Sequence, residues 1–397
     1  MAIEGPGTTP AAPPRRLRLA MVGGGQGAFI GAVHRIAARL DDRYELVAGA
    51  FSSDPERARA SAAALHVAPD RAYASWEAMA EGEAARPPGD RAEVVAVVTP
   101  NHLHHAPARA FLERGFHVVC DKPMTTTVAD AEDLAATVAR AGRVFALTHN
   151  YSGYPMVRQA RAMVAAGEVG AVRVVQVEYA QDWLTTRLEE TGQKQASWRT
   201  DPDRSGAGGC TGDIGTHAFH LAEFVTGLRC EEILADLTAF VPGRALDDDA
   251  RMLLRCAGGA RGCLWASQVA PGNENGLRLR VYGERGGLEW SQEHPNHLRH
   301  APFGEPPRVI ARGAPGAGPA AAHATRVPAG HPEGYLEGFA QIYRDTADLI
   351  AAREAGREPP PDAALVPGVE DGVRGVRFVH AAVESSRRGA AWVRLGG

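Results

Sequence analysis

The apolar and polar positions of residues 16–150 form short apolar runs that alternate with longer amphipathic stretches. The runs 17–22 and 93–99 are apolar nearly throughout, which is typical of strands buried on both faces. The stretch 29–40 fits a helix, and Asp54 followed by Pro55 predicts the start of another. This alternation predicts a parallel, doubly wound α/β sheet. The other elements predicted in this region are strands at 44–51, 117–120 and 144–148 and helices at 104–114 and 127–141.

The pattern changes after residue 150. Closely spaced strands dominate, and a turn at 257–259 joins two of them, so this part predicts a large, mainly antiparallel sheet. Residues 301–330 are rich in Pro, Gly and Ala and predict a long surface loop. The other expected elements are helices at 157–166, 214–226, 333–353 and 369–387, strands at 172–181, 233–240, 250–256, 262–269, 277–282 and 287–290, and a polar loop at 182–212.

A chain of 397 residues is too long for one ordinary core, and the patterns divide it into three parts. Residues 1–14 predict a disordered tail. Residues 15–150 are the expected Rossmann domain. Residues 151–397 are the expected α+β domain for substrate binding and oligomer formation, and its last helix is free to pack back on the Rossmann domain. An antiparallel sheet with one uncovered face favours a homodimer or homotetramer.

The composition excludes several classes of protein. A formal net charge of −4 gives no general attraction to nucleic acid or to an anionic membrane. No apolar run approaches the ~20 residues that a membrane helix needs. Five cysteines are scattered without a CxxC pair, which argues against a disulfide framework and against a structural zinc site. We therefore expect a cytoplasmic protein whose partner is a small molecule.

A glycine-rich loop follows the first predicted strand and opens the first predicted helix. Gly23, Gly25 and Ala28 fit the GxGxxG/A pattern, in which the glycines let the backbone approach a pyrophosphate at the helix N-terminus. Such a pattern is weak alone, but its place in a complete βαβ unit indicates a dinucleotide site. The acidic residue expected after the second strand is replaced by Ser52 or Ser53. No arginine directly follows the strand to receive a 2′-phosphate, although Arg57 lies one turn on, so NAD is the expected cofactor, with NADP left open.

Three later segments carry candidate chemistry. Residues 99–104 (TPNHLH) and 120–123 (CDKP) follow predicted strands, at the edge where such sheets bind ligands. Lys122 there can exchange a proton with a hydroxyl group. Asp213 and His217 are four residues apart at the start of a helix and therefore share one face. The structural alternatives are a loop lysine, a capping aspartate and a core histidine. The aspartate and histidine could also form half of a metal site, but no third ligand matches, so we expect no metal.

Together these motifs resemble the Gfo/Idh/MocA oxidoreductase family. The resemblance rests on the glycine loop at 23–28, TPNHLH at 99–104, DKP at 121–123 and GDIGTH at 212–217. It implies that Lys122, Asp213 and His217 are the catalytic group, with either the lysine or the histidine as proton acceptor. The cofactor contacts expected from the loop and the resemblance are Gly23, Gly25, Gln26, Ala28, Phe29, Ser52, Ser53, Thr99, Pro100, Asn101, His104, Asp121 and Lys122, and the substrate contacts are Asn150, Tyr151, Trp198, Arg199 and His220.

The resemblance implies reversible oxidation of a secondary ring hydroxyl on a sugar, glycoside, anhydrosugar or inositol. The inositol dehydrogenase branch and the branch of levoglucosan and glycoside 3-dehydrogenases are similar, the latter through GGGQGAFIG and CDKPMTTT. Asp121 stands where relatives carry Glu, and His220 where many carry Asp or Asn, which leaves the substrate open. Two alternatives remain: epimerisation or glycoside cleavage through transient oxidation with tightly held NAD, and a non-catalytic dinucleotide sensor.

Overall fold

A computed structural model describes residues 15–396. The first part of the chain builds a five-stranded sheet in the order β2-β1-β3-β4-β5, and every pairing in it is parallel. This arrangement confirms the predicted doubly wound α/β sheet. Its strands are β1 (Leu17–Gly23), β2 (Tyr44–Ala50), β3 (Val94–Val98), β4 (His117–Cys120) and β5 (Phe145–Leu147), and its helices are α1 (Phe29–Leu40), α2 (Pro55–Ala64), α3 (Trp76–Ala85), α4 (His105–Glu113) and α5 (Val128–Ala141).

Local signals set the ends of these helices. The Asp54 carboxylate accepts a hydrogen bond from the backbone N–H of Arg57 at 2.7 Å, and Pro55 takes the first position of α2. Thr127 caps α5 through the N–H of Asp130. Helix α3 lies between α2 and β3 and was not expected, because its apolar positions do not follow one face.

The second part builds a nine-stranded sheet in the order β13-β12-β11-β10-β6-β9-β8-β7-β14. Its pairings are antiparallel except for β6 with β9, which is parallel. This confirms the large, mainly antiparallel sheet. Its strands are β6 (Val172–Ala180), β7 (Cys230–Thr238), β8 (Asp249–Cys256), β9 (Arg261–Ser267), β10 (Gly276–Gly283), β11 (Gly286–Ser291), β12 (His297–Pro302), β13 (Arg308–Ala311) and β14 (Val393–Arg394), and its helices are α6 (Pro155–Ala165), α7 (Lys194–Arg199), α8 (Pro202–Ser205), α9 (Thr216–Thr226), α10 (Pro319–Ala324), α11 (Tyr335–Glu354) and α12 (Val369–Arg387).

One face of the nine-stranded sheet is buried and the other is open. Residues alternate between the two faces along each strand, so Met252 and Leu254 join the core under α9 while Leu253 between them points outward. The open face exposes large apolar side chains, including Leu253, Tyr282 and Val174, at 48%, 43% and 39%. An apolar face of this kind suits contact with another protein surface.

The last two long helices connect the two sheets. Phe339 and Tyr343 of α11 share a core cluster with Leu19 of β1 and Val33 of α1. Helix α12 places Val373 against the Rossmann core, whereas its later residues join the core of the second sheet. The chain therefore returns twice to the Rossmann sheet, and this return fixes the second sheet relative to the first.

Two loop predictions need correction. The stretch 301–330 was expected to be one surface loop, but it contains β13 and α10. Strand β13 pairs with β12 through Leu298 and Ile310, and Pro319 starts α10, so tertiary pairing and a helix start outweigh the Gly and Pro content. The polar loop at 182–212 likewise contains the short helices α7 and α8. The tail predicted for residues 1–14 lies outside the described residues.

Candidate active site

A cleft of about 600 Å3 opens at the carboxyl ends of β3, β4 and β5. The Rossmann side contributes the ends of these strands, and the second sheet contributes α9 and the segment 182–207. Ligands of open α/β sheets bind at this edge, where the strand order reverses. The cleft brings together Thr99, Asn101, Asp121, Lys122, Asn150, Tyr151, Trp198, Arg199, Asp213 and His217, all of which the sequence singled out.

The glycine loop lets a ligand come close to the backbone of the loop. Gly23 and Gly24 have φ values of 82° and 72°, a conformation that favours glycine. A Cβ on Gly25 would lie 2.7 Å from the carbonyl oxygen of Phe51, and one on Gly31 would overlap Gly24. Gly31 was missed by the sequence reasoning, which assigned the close helix packing to Ala28. The guanidinium of Arg35 fixes the loop by donating to the Gly24 carbonyl at 2.6 Å.

The N-terminus of α1 fits a pyrophosphate group. Ala28 occupies its cap position without a side-chain hydrogen bond, and the first turn holds no acidic residue, so its N–H groups are left for an anion. Gln26 donates its N–H to the Ser61 hydroxyl, and Phe29 stands 65% exposed at the mouth of the cleft. These features fit the cofactor that the loop predicts.

The end of β2 offers hydroxyls and no free acid. The Ser52 hydroxyl accepts from the N–H of Asp54, and Ser53 is exposed. The Asp54 carboxylate is already occupied as the cap of α2. Residues 51–56 include no arginine that could receive a 2′-phosphate, which favours NAD over NADP.

The segment after β3 divides into a cleft part and a buried part. Thr99 and Asn101 line the cleft, and the Asn101 amide donates to the Ser205 carbonyl at 3.1 Å, which ties the Rossmann domain to α8. His104 was expected beside the nicotinamide but is fully buried. Its two ring nitrogens lie 2.8 Å from the carbonyl oxygens of Pro123 and Thr99. It therefore links the loops that follow β3 and β4.

Lys122 reaches across the cleft from the end of β4. Its Nζ donates to the carboxylate Oδ1 of Asp213 at 2.8 Å and to the backbone oxygen of the same residue at 2.6 Å. Asp121 before it is held by the Thr148 hydroxyl at 2.7 Å and by the N–H of Lys122. The lysine is thus fixed at both ends, with its charge next to the Asp213 carboxylate.

Asp213 is the electrostatic centre of the cleft. Its second oxygen, Oδ2, accepts from Gln268 at 2.9 Å and from Arg199 at 3.2 Å. Burial raises its pKa, but the charges of Lys122 and Arg199 outweigh burial and hold the pKa well below the ordinary value. The carboxylate is therefore ionised and fully occupied by donors, so it orients and neutralises its neighbours.

His217 lies on the same helix face, one turn after Asp213. Burial and the charge of Lys122 lower its pKa well below the usual value, so the ring is neutral near pH 7. Its ring packs edge-to-face against that of Tyr151, with centroids 4.9 Å apart. A neutral imidazole in a cleft can accept a proton.

One turn of π-helix, Thr211–Gly215, projects Asp213 into the cleft. Such widened turns occur frequently at functional sites. The Asp247 carboxylate holds this turn by accepting from the N–H groups of Gly209 and Thr211 and from the Thr211 hydroxyl, at 2.7–2.8 Å. Asp247 lies 34 positions away along the chain, so no local pattern reveals its role.

The expected substrate residues separate into two groups. Asn150, Tyr151, Trp198 and Arg199 line the cleft, and the guanidinium of Arg199 lies over the Trp198 ring at 4.2 Å. His220 does not line it. This side chain stacks on His149 in the interior.

Tyr151 was predicted, but the hydrogen-bonded row of polar side chains that it joins was missed. Tyr151 and Tyr179 share a 2.5 Å bond, and the Tyr179 hydroxyl donates to the Oδ1 of Asn275. The Gln181 amide donates to the same oxygen at 2.9 Å. Along β6, Tyr179 shares the buried face with Val175 and Val177, and Gln181 follows at the same spacing of two, which was the available signal. Within residues 15–396, no group of three or more His, Cys, Asp or Glu side chains could hold a metal ion. None of the helices in this range combines the length and the apolar character that a membrane span requires.

The Rossmann fold and the ionised cluster in its cleft define an oxidoreductase that uses a nicotinamide dinucleotide. Residues 17–149 match the model for the oxidoreductase family's NAD-binding Rossmann fold, and residues 157–289 match the GFO/IDH/MocA C-terminal domain. An uncharacterised oxidoreductase of Bacillus subtilis, YfiI, is 34% identical over 382 residues, which is 96% of this chain and 97% of that protein. The chain belongs to the Gfo/Idh/MocA family.

Solved structures agree with this assignment. An oxidoreductase from Sinorhizobium meliloti is 53% identical, with a TM-score of 0.87 over 96% of this chain and 99% of that one. An inositol dehydrogenase homologue from Azotobacter vinelandii, complexed with NADH and myo-inositol, is 39% identical, with a TM-score of 0.88 over 96% and 98%. The levoglucosan dehydrogenase of Pseudarthrobacter phenanthrenivorans is 27% identical over 231 residues, or 52% of this chain and 57% of that protein. Over solved structures that each cover 96% of this chain, identity is 39% to the inositol dehydrogenase homologue and 24% to a levoglucosan dehydrogenase.

Proposed function

We propose that this protein is an NAD-dependent dehydrogenase that reversibly oxidises a secondary ring hydroxyl of a sugar, glycoside, anhydrosugar or inositol to a ketone. The observation that carries the proposal is the contact between Lys122 and Asp213, one helical turn from His217, in the cleft at the carboxyl end of β4. Similarity to a homologue complexed with NADH and myo-inositol supports the polyol class.

The residues described above fit the cofactor. The loop from Gly23 to Ala28 would hold the pyrophosphate, the hydroxyls of Ser52 and Ser53 would face the adenosine ribose, and Thr99, Asn101 and Asp121 would face the nicotinamide. When it is bound, NAD+ supplies the hydride acceptor. Placing it beside a fixed substrate hydroxyl provides much of the rate through orientation.

His217 is the proposed proton acceptor. Its lowered pKa keeps the ring neutral, so it can take the hydroxyl proton of the substrate. The Lys122 ammonium is paired with Asp213, and its proposed role is to donate a hydrogen bond to the substrate oxygen. A donor at that oxygen stabilises the negative charge that develops as the proton leaves.

The chemistry of the cleft wall favours an uncharged polyol. Among the cleft residues, Lys122 and Arg199 carry positive charge, and both already contact Asp213. Amide and phenol groups supply hydrogen bonds suited to hydroxyls, and the indole of Trp198 offers an apolar face to the C–H side of a sugar ring. A phosphorylated or acidic sugar would lack a free cation partner here.

The open face of the nine-stranded sheet supports a homodimer or homotetramer as the working form. Its outward apolar residues would be covered by a second copy. A monomeric mass in light scattering at assay concentration would contradict this proposal. The cysteines are scattered along the sequence, but the Sγ atoms of Cys230 and Cys256 lie 2.8 Å apart on β7 and β8, so the cytoplasmic location stays a prediction.

The test is a panel of inositols, sugars and glycosides, each incubated with NAD+ or NADP+ while the absorbance of the reduced cofactor is followed. We expect reduction of NAD+ by at least one neutral polyol, with a loss in kcat of about 10²–10⁴-fold for His217→Asn, the range for a lost general base. The control is Glu113→Gln, an exposed change on α4. Absence of reduction by every polyol would refute the proposal.

A further inference from the structure

Ring contacts, rather than a hydrogen bond to Nδ1, hold the proposed proton acceptor His217 among the described residues. A histidine base is usually held in one tautomer and one orientation by a hydrogen bond from its second ring nitrogen to a carboxylate or carbonyl. In the described part of the chain, the buried Nδ1 of His217 has no hydrogen-bond partner. Some other contact must therefore hold the ring, because a loosely held base loses rate.

Two rings contact His217 edge-to-face. The Tyr151 ring lies 4.9 Å away at 78°, and the His149 ring lies 5.4 Å away at 85°. Near-perpendicular pairs at such distances are a favourable aromatic geometry. Tyr151 is held by its hydrogen bond to Tyr179. The Nδ1 of His149 is also buried and has no hydrogen-bond partner among residues 15–396.

A third ring holds His149. His220 stacks on it with centroids 4.2 Å apart and planes within 5°. The Nε2 of His220 in turn lies 3.8 Å from the Asp371 carboxylate at the start of α12. His149 is 2% exposed and lies behind the cleft, so it does not reach the substrate.

We propose that His149 is a positioning residue that clamps the imidazole of His217 from behind, and that His220 fixes His149 by stacking. The proposal rests on the function proposed above for His217. It gives a role to His220, which the sequence placed against the substrate, and to His149, which the sequence did not single out.

The surroundings of the three histidines lower the pKa of each ring, which favours a clamp made of neutral rings. Burial, together with the neighbouring His220, His217 and Lys122, lowers the pKa of His149 well below its usual value. Burial also lowers the pKa of His220, although Asp371 and Glu223 act in the opposite direction and Arg161 and Arg229 reinforce burial. The pKa of His217 is lowered by Lys122 and His220 and raised by Asp213 and Asp121.

A direct proton relay along the same row does not fit the geometry. The N–H bonds of an imidazole lie in the plane of its ring, so two parallel rings 4.2 Å apart point no N–H at one another. The arrangement of these rings therefore favours packing against one another over direct proton exchange.

Two substitutions at one position separate packing from nitrogen chemistry. His149→Phe keeps a ring edge against His217, and His149→Ala removes it. We expect the alanine variant to lose about tenfold in kcat, since an edge-to-face pair of this kind is worth up to about that factor. We expect its KM for polyol and its affinity for NADH to change less than about twofold, and the phenylalanine variant to stay near the wild type.

A second measurement does not depend on turnover. In ¹⁵N-histidine NMR, wild-type His217 should show one tautomer and a depressed pKa. In His149→Ala, water entering the space should raise this pKa and mix the tautomers, whereas His149→Phe should preserve both. Phe219→Leu is the matched control, because Phe219 lies on the same helix and packs against Phe378, away from His217. It should lower the melting temperature without changing kcat or the His217 signals.

The outcomes are distinct. Unchanged His217 signals and kcat in His149→Ala would overturn the clamp, and an equal loss in His149→Phe would show that the nitrogen matters and the packing does not. If no polyol reduces NAD+ with the wild-type protein, the proposed function fails, while the NMR comparison still decides whether His149 positions His217.

Discussion

Asp213→Asn separates charge from shape in the active site. Asparagine has the size of aspartate, but one of its two terminal atoms is a donor. Oδ1 of Asp213 now accepts from Lys122, and Oδ2 accepts from Arg199 and Gln268. Either orientation of the new amide would therefore aim an N–H group at another donor.

The magnitude follows from the burial of the pair. Removing one partner of a buried ion pair costs roughly 3–5 kcal/mol. The Lys122 and Asp213 side chains retain 12% and 16% exposure, so we expect the lower end, about 3 kcal/mol of unfolding free energy. Lys122 keeps its bond to the backbone oxygen of residue 213, but its Nζ loses the carboxylate. A shift of about 1 Å in a reacting group lowers kcat on the order of 100-fold.

The assay measures kcat and KM with the best polyol of the panel, and urea unfolding measures stability. We expect kcat to fall about 100-fold in Asp213→Asn. The dissociation constant of NADH should stay within about twofold, because the side-chain donors to Asp213 are Lys122, Arg199 and Gln268 and none of them belongs to the glycine loop. The control, Asp203→Asn, removes one exposed carboxylate from α8 and should leave kcat and the dissociation constant of NADH unchanged.

Two results would refute this reasoning. A kcat within about threefold of the wild type would mean that the Asp213 charge does not position Lys122. An equal loss of NADH affinity and kcat would mean that the substitution perturbs the whole fold rather than the cluster.

Three further predictions test other parts of the molecule. Because a Cβ on Gly25 would lie 2.7 Å from a backbone carbonyl oxygen, we expect Gly25→Ala to weaken NADH binding about tenfold in a fluorescence titration. Gly89→Ala, whose Cβ meets open space, should bind NADH like the wild type, and equal affinities of the two variants would contradict a close contact between the loop backbone and the cofactor. Burial and two nearby arginines lower the pKa of His117 from 6.5 to about 4, so its contribution to stability is complete above the unfolded-state pKa and falls as the unfolded chain takes up a proton. Between pH 7 and 5, the free energy of unfolding in urea should therefore fall by about 2 kcal/mol less in His117→Asn than in the wild type. An equal fall in both proteins would disprove the shift. Ser53→Arg should raise kcat/KM with NADP+ relative to NAD+ about tenfold, and an unchanged ratio would place the adenosine ribose elsewhere.

Local patterns predicted much of the Rossmann domain. Strands buried on both faces read as continuous apolar runs, and Asp54 with Pro55 marks a helix start in a few letters. Helix α3 was not found because its apolar positions do not follow one face, and it packs against β2 and α4. Strand β13 was not found because it has four residues, too few to show a period, and it forms by pairing with β12.

For the site, local sequence patterns were enough to identify the residue types that carry the chemistry. The segments with Lys122, Asp213 and His217 each stand at a strand end or helix start that local patterns place. The contacts of each side chain became visible in the folded protein: Asp247 holds the π-turn, Gln268 donates to Asp213, and His220 turns inward to His149. The physical reason is that hydrogen bonds and ring contacts between distant segments depend on packing of the two sheets, and no local periodicity records that packing.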